Sequence, residues 1–218
     1  MKQLTILLII LVTFCSCQSF KEQRIEVYSN DFQTENAANI EGAKFSSYNN
    51  TKLLGNYNNS SFSLYIDQLP EHDLVEITFD LYIHDSWDGN ASPNRIDGPD
   101  KWAMYVDETS YIYTTFSNAT CLSGICPPQA YPNNYPNHNN NPKTGAVTKN
   151  LPRICGLGYN HITGGTSIYK IKKVIAHQAT DLTLLCKDEL IQANSANPLC
   201  DESWSVDNLN ITIIKINK

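Results

Sequence analysis

The chain is dominated by an alternation of apolar and polar residues. The segment Val75 to Ile83 places an apolar residue at every second position. Because successive side chains of a β-strand point to opposite faces, this alternation predicts a strand with one buried face. Shorter segments repeat the pattern: Phe62–Ile66, Trp102–Val106, Ile112–Phe116, Leu182–Cys186 and Leu209–Ile213. The last of these is followed by Ile214 and Ile216 on the opposite parity, which indicates a bulge or a strand covered on both sides.

Turn-forming residues separate these segments, as in Asp88-Gly89-Asn90 and Asp97-Gly98-Pro99. Only Asp188 to Ala193 is a candidate for a helix, and its pattern is weak. Many short strands joined by polar turns are typical of two stacked sheets. We therefore predict an all-β protein, an antiparallel β-sandwich of the jelly-roll type, with one domain over residues 25–218.

The stretch from Pro127 to Pro142 is rich in Pro and Asn and has no run that could bury a face. We interpret it as a long surface loop. A second interpretation is a ligand-facing loop, in which Tyr131 and Tyr135 offer flat surfaces to a sugar or peptide. Trp102 is a third candidate platform of this kind.

The amino terminus predicts export. Lys2 precedes an apolar run from Leu4 to Phe14, followed by small and polar residues, so residues 1–17 fit a secretory signal peptide. The run is too short for a membrane-spanning helix. The alternative is a lipoprotein signal that leaves Cys17 lipid-anchored. We expect a secreted, extracellular protein with no transmembrane anchor.

Charge and glycosylation motifs narrow the choice of partners. The formal net charge is −6 and there is no basic block, so nucleic acid is not expected as a partner. The expected partner is an extracellular protein or a glycan, and the sequence indicates no oligomeric state. Glycoprotein sequons begin at Asn49, Asn58, Asn59, Asn90, Asn118 and Asn210.

Five cysteines lie beyond the leader, and in an exported chain they are disulfide candidates. Short loops favour the pairs Cys121–Cys126 and Cys186–Cys200. Cys155 is then left over, either free or paired with another chain, or it displaces one of these pairings.

Acidic residues concentrate in the loops around two motifs, Asp85-Ser-Trp-Asp-Gly89 and Asp201-Glu-Ser-Trp204. Carboxylates that meet repel one another unless they share a cation, and Ca²⁺ accepts such oxygen ligands in flexible geometry. We expect a calcium site with ligands Asp85, Asp88, Asp100, Asp201, Glu202 and Asp207. The simpler interpretation is that these acids form turns and solvated caps. Trp87 and Trp204 are expected to anchor the loops to the core.

These motifs carry a resemblance. Together with Gly98-Pro-Asp100, Thr115-Phe-Ser-Asn118, Gln129-Ala-Tyr-Pro132 and Thr144-Gly145, they resemble extracellular β-sandwich modules of secreted bacterial and protist proteins. Those modules are similar to concanavalin-like, laminin-G-like and MAM-type jelly rolls. The resemblance implies a jelly roll and calcium, and no catalytic residue. Ser205 stands where the pattern has glycine.

The sequence therefore favours a structural or adhesive module without catalytic activity, stabilised by calcium at its acidic loops. The first alternative is a carbohydrate-binding, lectin-like module. The second is a polysaccharide hydrolase, in which Asp85 with Asp88, or Asp201 with Glu202, supplies the two carboxyl groups that glycoside hydrolysis needs.

Overall fold

The fold follows from the alternating segments, each of which forms a strand that turns its apolar side inward. A computed structural model describes residues 21–90, 98–119, 121, 126–155, 165–191 and 195–217. The leader, with residues 1–17 and the lipidation candidate Cys17, lies outside the described residues. The strands and the one helix are β1 Lys21–Asn30, β2 Ile40–Glu41, β3 Phe45–Tyr48, β4 Thr51–Tyr57, β5 Ser61–Ile66, β6 Leu74–Asp85, β7 Lys101–Val106, β8 Thr109–Thr115, β9 Thr148–Leu151, β10 Thr166–Ala176, β11 Leu182–Glu189, α1 Pro198–Asp201 and β12 Glu202–Asn217.

The strands form two antiparallel sheets, as predicted. The seven-stranded sheet has the order β3-β4-β12-β6-β10-β9, with β1 also paired to β12. The five-stranded sheet has the order β2-β5-β11-β7-β8. The chain crosses repeatedly between the sheets: β5, β7 and β11 lie in one, and β6, β10 and β12 lie in the other. The protein is an antiparallel β-sandwich of the jelly-roll type.

The inner faces of both sheets supply one large apolar core. Val75, Ile77 and Leu81 of β6 are fully buried there, together with Leu184 and Ile211. Both Ile213 and Ile214 are also buried, so the second interpretation of the parity change is correct there: β12 is covered on both sides. Burial of apolar area at about 25 cal/mol per Å² makes this core the main source of stability.

The helical candidate at Asp188–Ala193 is wrong at its start, since Asp188 and Glu189 continue β11. The alternation that begins at Leu182 extends to Asp188, whose side chain is buried. Residues 192 and 193 of the candidate lie outside the described part of the chain. No helix among the described residues is long and apolar enough to cross a membrane.

One predicted disulfide is confirmed and the other is wrong. Cys121 bonds to Cys126, and Cys200 bonds to Cys155 instead of Cys186. Cys186 is a free, fully buried thiol on the core-facing side of β11. Because Cys200 lies in α1 at the end of the sandwich, a partner in the core was out of reach. Burial raises the pKa of the Cys186 thiol well above its ordinary value.

Candidate functional site

Three loop segments meet at one end of the sandwich. β6 ends at Asp85 and β12 begins at Glu202, and these residues are direct cross-strand neighbours. β7 begins immediately after Asp100, whose backbone N–H donates to the carbonyl of Gly89 at 3.0 Å. The sequence motifs therefore converge because antiparallel neighbours place the end of one strand beside the start of the next.

Four acidic side chains at this end form what we call the carboxylate cluster: Asp88, Asp100, Asp201 and Glu202. The Asp100 carboxylate accepts a hydrogen bond from the backbone N–H of Asp88. Ser86 Oγ donates to Asp201, at 3.0 Å to Oδ1 and 2.9 Å to its carbonyl. Asp100 and Glu202 interact directly through their carboxyl groups.

Burial makes the cluster electrostatically costly. Asp100 is 0% exposed and Glu202 is 2% exposed. Burial, and after it the charges of Asp100, Asp88 and Asp201, together raise the pKa of Glu202 to about 11. Burial likewise raises the pKa of Asp100 well above its ordinary value. Asp100 Oδ1 is buried without a hydrogen-bond partner, so a cation or a proton would stabilise it.

Of the other two expected calcium ligands, Asp85 borders the cluster as the cross-strand neighbour of Glu202, and Asp207 lies apart from it. Asp85 pairs with Arg153, whose Nε lies 2.7 Å from Oδ1, and burial raises the pKa of Asp85 to about 6. Asp207 lies opposite Asp80, five positions further along β12. Its pKa is also raised to about 6, first by burial and then by the charges of Asp80 and Asp31. Sequence proximity to Glu202 was misleading for Asp207, because five strand residues span about 16 Å.

Among the described residues, no three His, Cys, Asp or Glu side chains are arranged to hold a metal ion by themselves. A cation at the carboxylate cluster therefore needs additional oxygen ligands from backbone carbonyls or water, as Ca²⁺ commonly has.

The tryptophans anchor this end of the molecule. Trp87 and Trp204 are fully buried, and their indole N–H groups donate to Ser203 O at 2.9 Å and Asp188 Oδ2 at 2.6 Å. Trp102 is also fully buried, and its ring lies 5.8 Å from that of Trp204 in an edge-on arrangement. The interpretation of Trp102 as a ligand platform is therefore wrong, because its ring belongs to the core.

The Pro/Asn-rich loop, residues 127–142, is fastened to β8 over part of its length. The buried side chain of Gln129 accepts from the backbone N–H of Ser117 and Lys143, at 3.1 and 2.9 Å. The Tyr131 ring packs 4.9 Å from that of Phe116, so its face is largely used within the core. Tyr135 is half-buried, with its ring 6.5 Å from that of Tyr113.

A groove of about 700 Å³, which we call the tyrosine groove, lies on the outer face of the five-stranded sheet. Its lining residues are Ser63, Tyr105, Asp107, Glu108, Ala179, Asp181, Thr183, Leu185 and Lys187. Tyr105 is half-buried, with the Lys187 ammonium 5.4 Å from its ring centre. Tyr65, the cross-strand neighbour of Thr183, is 48% exposed beside it. Aromatic surface, hydroxyl groups and charges thus meet in one concave site.

This groove was not predicted, although the sequence contains a signal for it. If Phe62, Leu64 and Ile66 point inward, Tyr65 must point outward. The same alternation in β7 puts Tyr105 on the outer face and Trp102 in the core. What the pattern could not supply was the pairing of β5, β11 and β7 that brings these positions together.

The structure also separates the sequons by accessibility. Asn49 and Asn59 are exposed. Asn118 is 4% exposed, and its amide donates to the carbonyls of Ile83 and Gly165. A glycan on Asn118 is incompatible with this folded structure.

Comparisons with known proteins give distant similarity of fold. No protein-family model matches the sequence, and no curated protein matches it significantly. Among solved structures, dimeric latent PorU from Porphyromonas gingivalis is similar at 7% identity and a TM-score of 0.42, over 90% of this chain and 13% of that one. The mannan-recognising carbohydrate-binding module TmCBM27 is similar at 13% identity and 0.37, over 88% and 98%. Basic winged bean lectin with Tn-antigen is similar at 9% identity and 0.37, over 90% and 100%. With TM-scores below 0.5, these similarities carry no argument about function.

Proposed function

We propose that the chain is a secreted, non-catalytic module that binds a neutral carbohydrate in the tyrosine groove. The observation that carries the proposal is the aromatic surface of the half-buried Tyr105 in the groove, with the exposed Tyr65 beside it. The flat faces of sugar rings pack on such aromatic surfaces, and their hydroxyl groups need nearby donors and acceptors. Ser63, Thr183 and Lys187 offer these groups.

The charge of the groove favours a neutral ligand over an anionic one. Three carboxylates, those of Asp107, Glu108 and Asp181, line it against the single ammonium of Lys187. The whole chain carries a net charge of −6. Both the local and the overall field therefore repel uronic acids and sulfated sugars. If the glycan is carried on a cell or matrix surface, the module is adhesive.

A glycan array tests this proposal, followed by calorimetric measurement of glycan affinity for the wild type and Tyr105→Ala. We expect the array to show neutral glycans, and the variant to bind the best of them about tenfold more weakly, a loss of about 1.4 kcal/mol. Tyr135→Ala, on the Pro/Asn-rich loop, is the matched control and should bind like the wild type. An array without hits, or a loss confined to Tyr135→Ala, would contradict the groove assignment.

We also propose that the carboxylate cluster is a structural calcium site. Asp100 Oδ1 supports it, because a buried carboxylate oxygen without a donor is strongly stabilised by a cation. Glu202 and Asp88 lie beside Asp100 and would share the ion. The role is to hold the three loop segments together, and catalysis is not part of it, since Asp100 and Glu202 are buried.

Removing calcium should destabilise the wild type. A ligand that binds only the folded state adds about 2.7 kcal/mol at 100 times its Kd, so EDTA should lower the melting temperature and Ca²⁺ should restore it. Glu202→Gln should lose most of this calcium response. The competing state is a proton shared between Asp100 and Glu202. In that case EDTA has no effect, and Glu202→Gln, which cannot ionise, is at least as stable as the wild type.

A further inference from the structure

Two buried histidines and an aspartate form a continuous hydrogen-bonded chain at the end of the sandwich opposite the carboxylate cluster. His72 Nδ1 lies 2.6 Å from the carbonyl oxygen of Pro70. His72 Nε2 lies 2.7 Å from His177 Nδ1, with the ring centroids 5.0 Å apart and the ring planes inclined by 13°. His177 Nε2 lies 2.9 Å from Asp107 Oδ2. The histidines are only 2% and 9% exposed.

These three contacts require three protons. The Pro70 carbonyl only accepts, so His72 Nδ1 must carry a proton. The contact between the two rings needs one proton, and so does the contact with the Asp107 carboxylate. Two neutral imidazoles carry only two protons between them. The complete chain therefore holds one extra proton, and its positive charge is balanced by Asp107.

The hydrogen-bonded chain of side chains joins three loops between strands, and it ends in the tyrosine groove. His72 lies between β5 and β6, His177 between β10 and β11, and Asp107 in the turn between β7 and β8. Asp107 lines the groove and is held from its other oxygen, because the backbone N–H of Thr183 donates to Oδ1 at 2.8 Å. Both oxygens of this groove carboxylate are thus fixed while the chain is complete.

The other charged residues around the hydrogen-bonded chain lie on the same loops or, for Lys215, on β12. Glu71 and Asp73 flank His72, and both pair with Lys215 of β12. Glu108 follows Asp107, and Asp181 follows His177 by four positions; both line the groove. These neighbours are four carboxylates and the one ammonium of Lys215.

We propose that His72, His177 and Asp107 are a proton-dependent latch that orders the acidic end of the tyrosine groove, so that ligands bind more tightly at mildly acidic pH than at alkaline pH. The effect on ligands rests on the proposed function of the groove; the latch itself does not. Loss of the third proton leaves two acceptors facing each other at one contact, which must open. Asp107 and the connection from His177 to Asp181 then lose their fixed position.

The sign of the pH dependence follows from the proton count. Two histidines in an unfolded chain bind about three ring protons at pH 6.5 and about two by pH 8, whereas the closed latch binds three. Stability falls with rising pH wherever the folded state binds more protons than the unfolded state. The latch should therefore stabilise the protein near pH 6 and lose its effect towards pH 8.5.

Asp107→Asn tests this directly. The new amide NH₂ can donate to His177 Nε2 while the amide oxygen accepts from the Thr183 N–H, so two neutral histidines complete the chain. Asn also tolerates the positive φ of 48° at this position. We expect the urea midpoint of the wild type to fall from pH 6 to pH 8.5, and that of Asp107→Asn to fall by less than half as much. Other titrating groups, such as Asp85, contribute equally to both proteins.

A second measurement counts the ring protons directly. Nitrogen-15 NMR of the imidazoles at pH 6 should show three ring N–H groups shared by His72 and His177 in the wild type, and two in Asp107→Asn. Two N–H groups in the wild type, or equal pH dependence of the two proteins, would overturn the latch. Once a glycan is known, equal wild-type affinities at pH 6 and pH 8.5 would overturn its control of the groove. A failed glycan array leaves the latch measurements unaffected, so the two proposals fail separately.

Discussion

Asp188 links the five-stranded sheet to the loops that surround the carboxylate cluster. Its carboxylate accepts from the Trp204 indole at 2.6 Å and from the backbone N–H groups of Asn59, Ser60 and Leu190, at 2.5, 3.1 and 3.1 Å. Burial raises the pKa of Asp188, and these four donors lower it. A buried carboxylate persists here because donors from three parts of the chain replace water.

Asp188→Ala should therefore be strongly destabilising. It leaves the buried Trp204 N–H and the backbone N–H groups of Asn59 and Ser60 without their acceptor, at a cost of about 3 kcal/mol. Urea unfolding of the variant measures this loss. Asp67→Ala, at an exposed position in the connection after β5, is the control and should stay within about 0.5 kcal/mol of the wild type. A comparable loss in both variants would mean that Asp188 contributes no more than a surface acid.

Wherever a strand was recognised, the alternation of apolar and polar residues predicted which face of the sheet each side chain lies on. The pattern Leu182, Leu184, Cys186 already placed Cys186 in the core, which conflicts with pairing it to Cys200. Loop length was a poorer guide to disulfide pairing, because it reflects the distance along the chain and not the direction in which each side chain points. The alternation in β7 likewise places Trp102 on the inner face with Met104 and Val106, where it cannot contact a ligand.

At the level of elements, strands were predictable because their signal is local, whereas their neighbours in the sheet were not. The calcium hypothesis required Asp88, Asp100 and Glu202 to converge, but the sequence did not show how. The pairing of β6 with β12 brings the Asp88 loop beside Glu202. The contact between His72 and His177 joins residues 105 positions apart and left no trace in the sequence. Such contacts depend on strand order, which periodicity does not encode.

The Pro/Asn-rich loop shows the same limit. Its composition correctly indicated turns, yet Gln129 and Ala130 within it are fully buried. Gln129 exchanges backbone hydrogen bonds with Asn140, at 2.9 and 2.8 Å, and the Tyr131 N–H donates to the carbonyl of Thr115 at 3.2 Å. The loop thus adds its own ladder to the edge of β8. A buried glutamine is satisfied by a particular set of neighbours, and composition does not reveal them.

At the scale of the whole molecule, the two disulfides constrain the chain very differently. Cys121–Cys126 spans a sequence separation of 5, and Cys155–Cys200 one of 45. The longer bond ties the connection after β9 to α1, immediately before β12. Nearby, the carbonyl of Pro152 accepts from Tyr48 and Thr166, so this connection crosses the outer face of the seven-stranded sheet.

We expect Cys155→Ser/Cys200→Ser to lower the melting temperature clearly more than Cys121→Ser/Cys126→Ser. The entropy of loop closure gives about 4 kcal/mol for the longer loop and about 2 kcal/mol for the shorter one. In a domain of this size, the difference corresponds to about 4–8 °C, which differential scanning calorimetry resolves. Both variants keep the buried thiol of Cys186, so its packing cancels in the comparison. An equal or larger effect from the shorter loop would show that the longer disulfide joins segments that the folded sheets already hold in place.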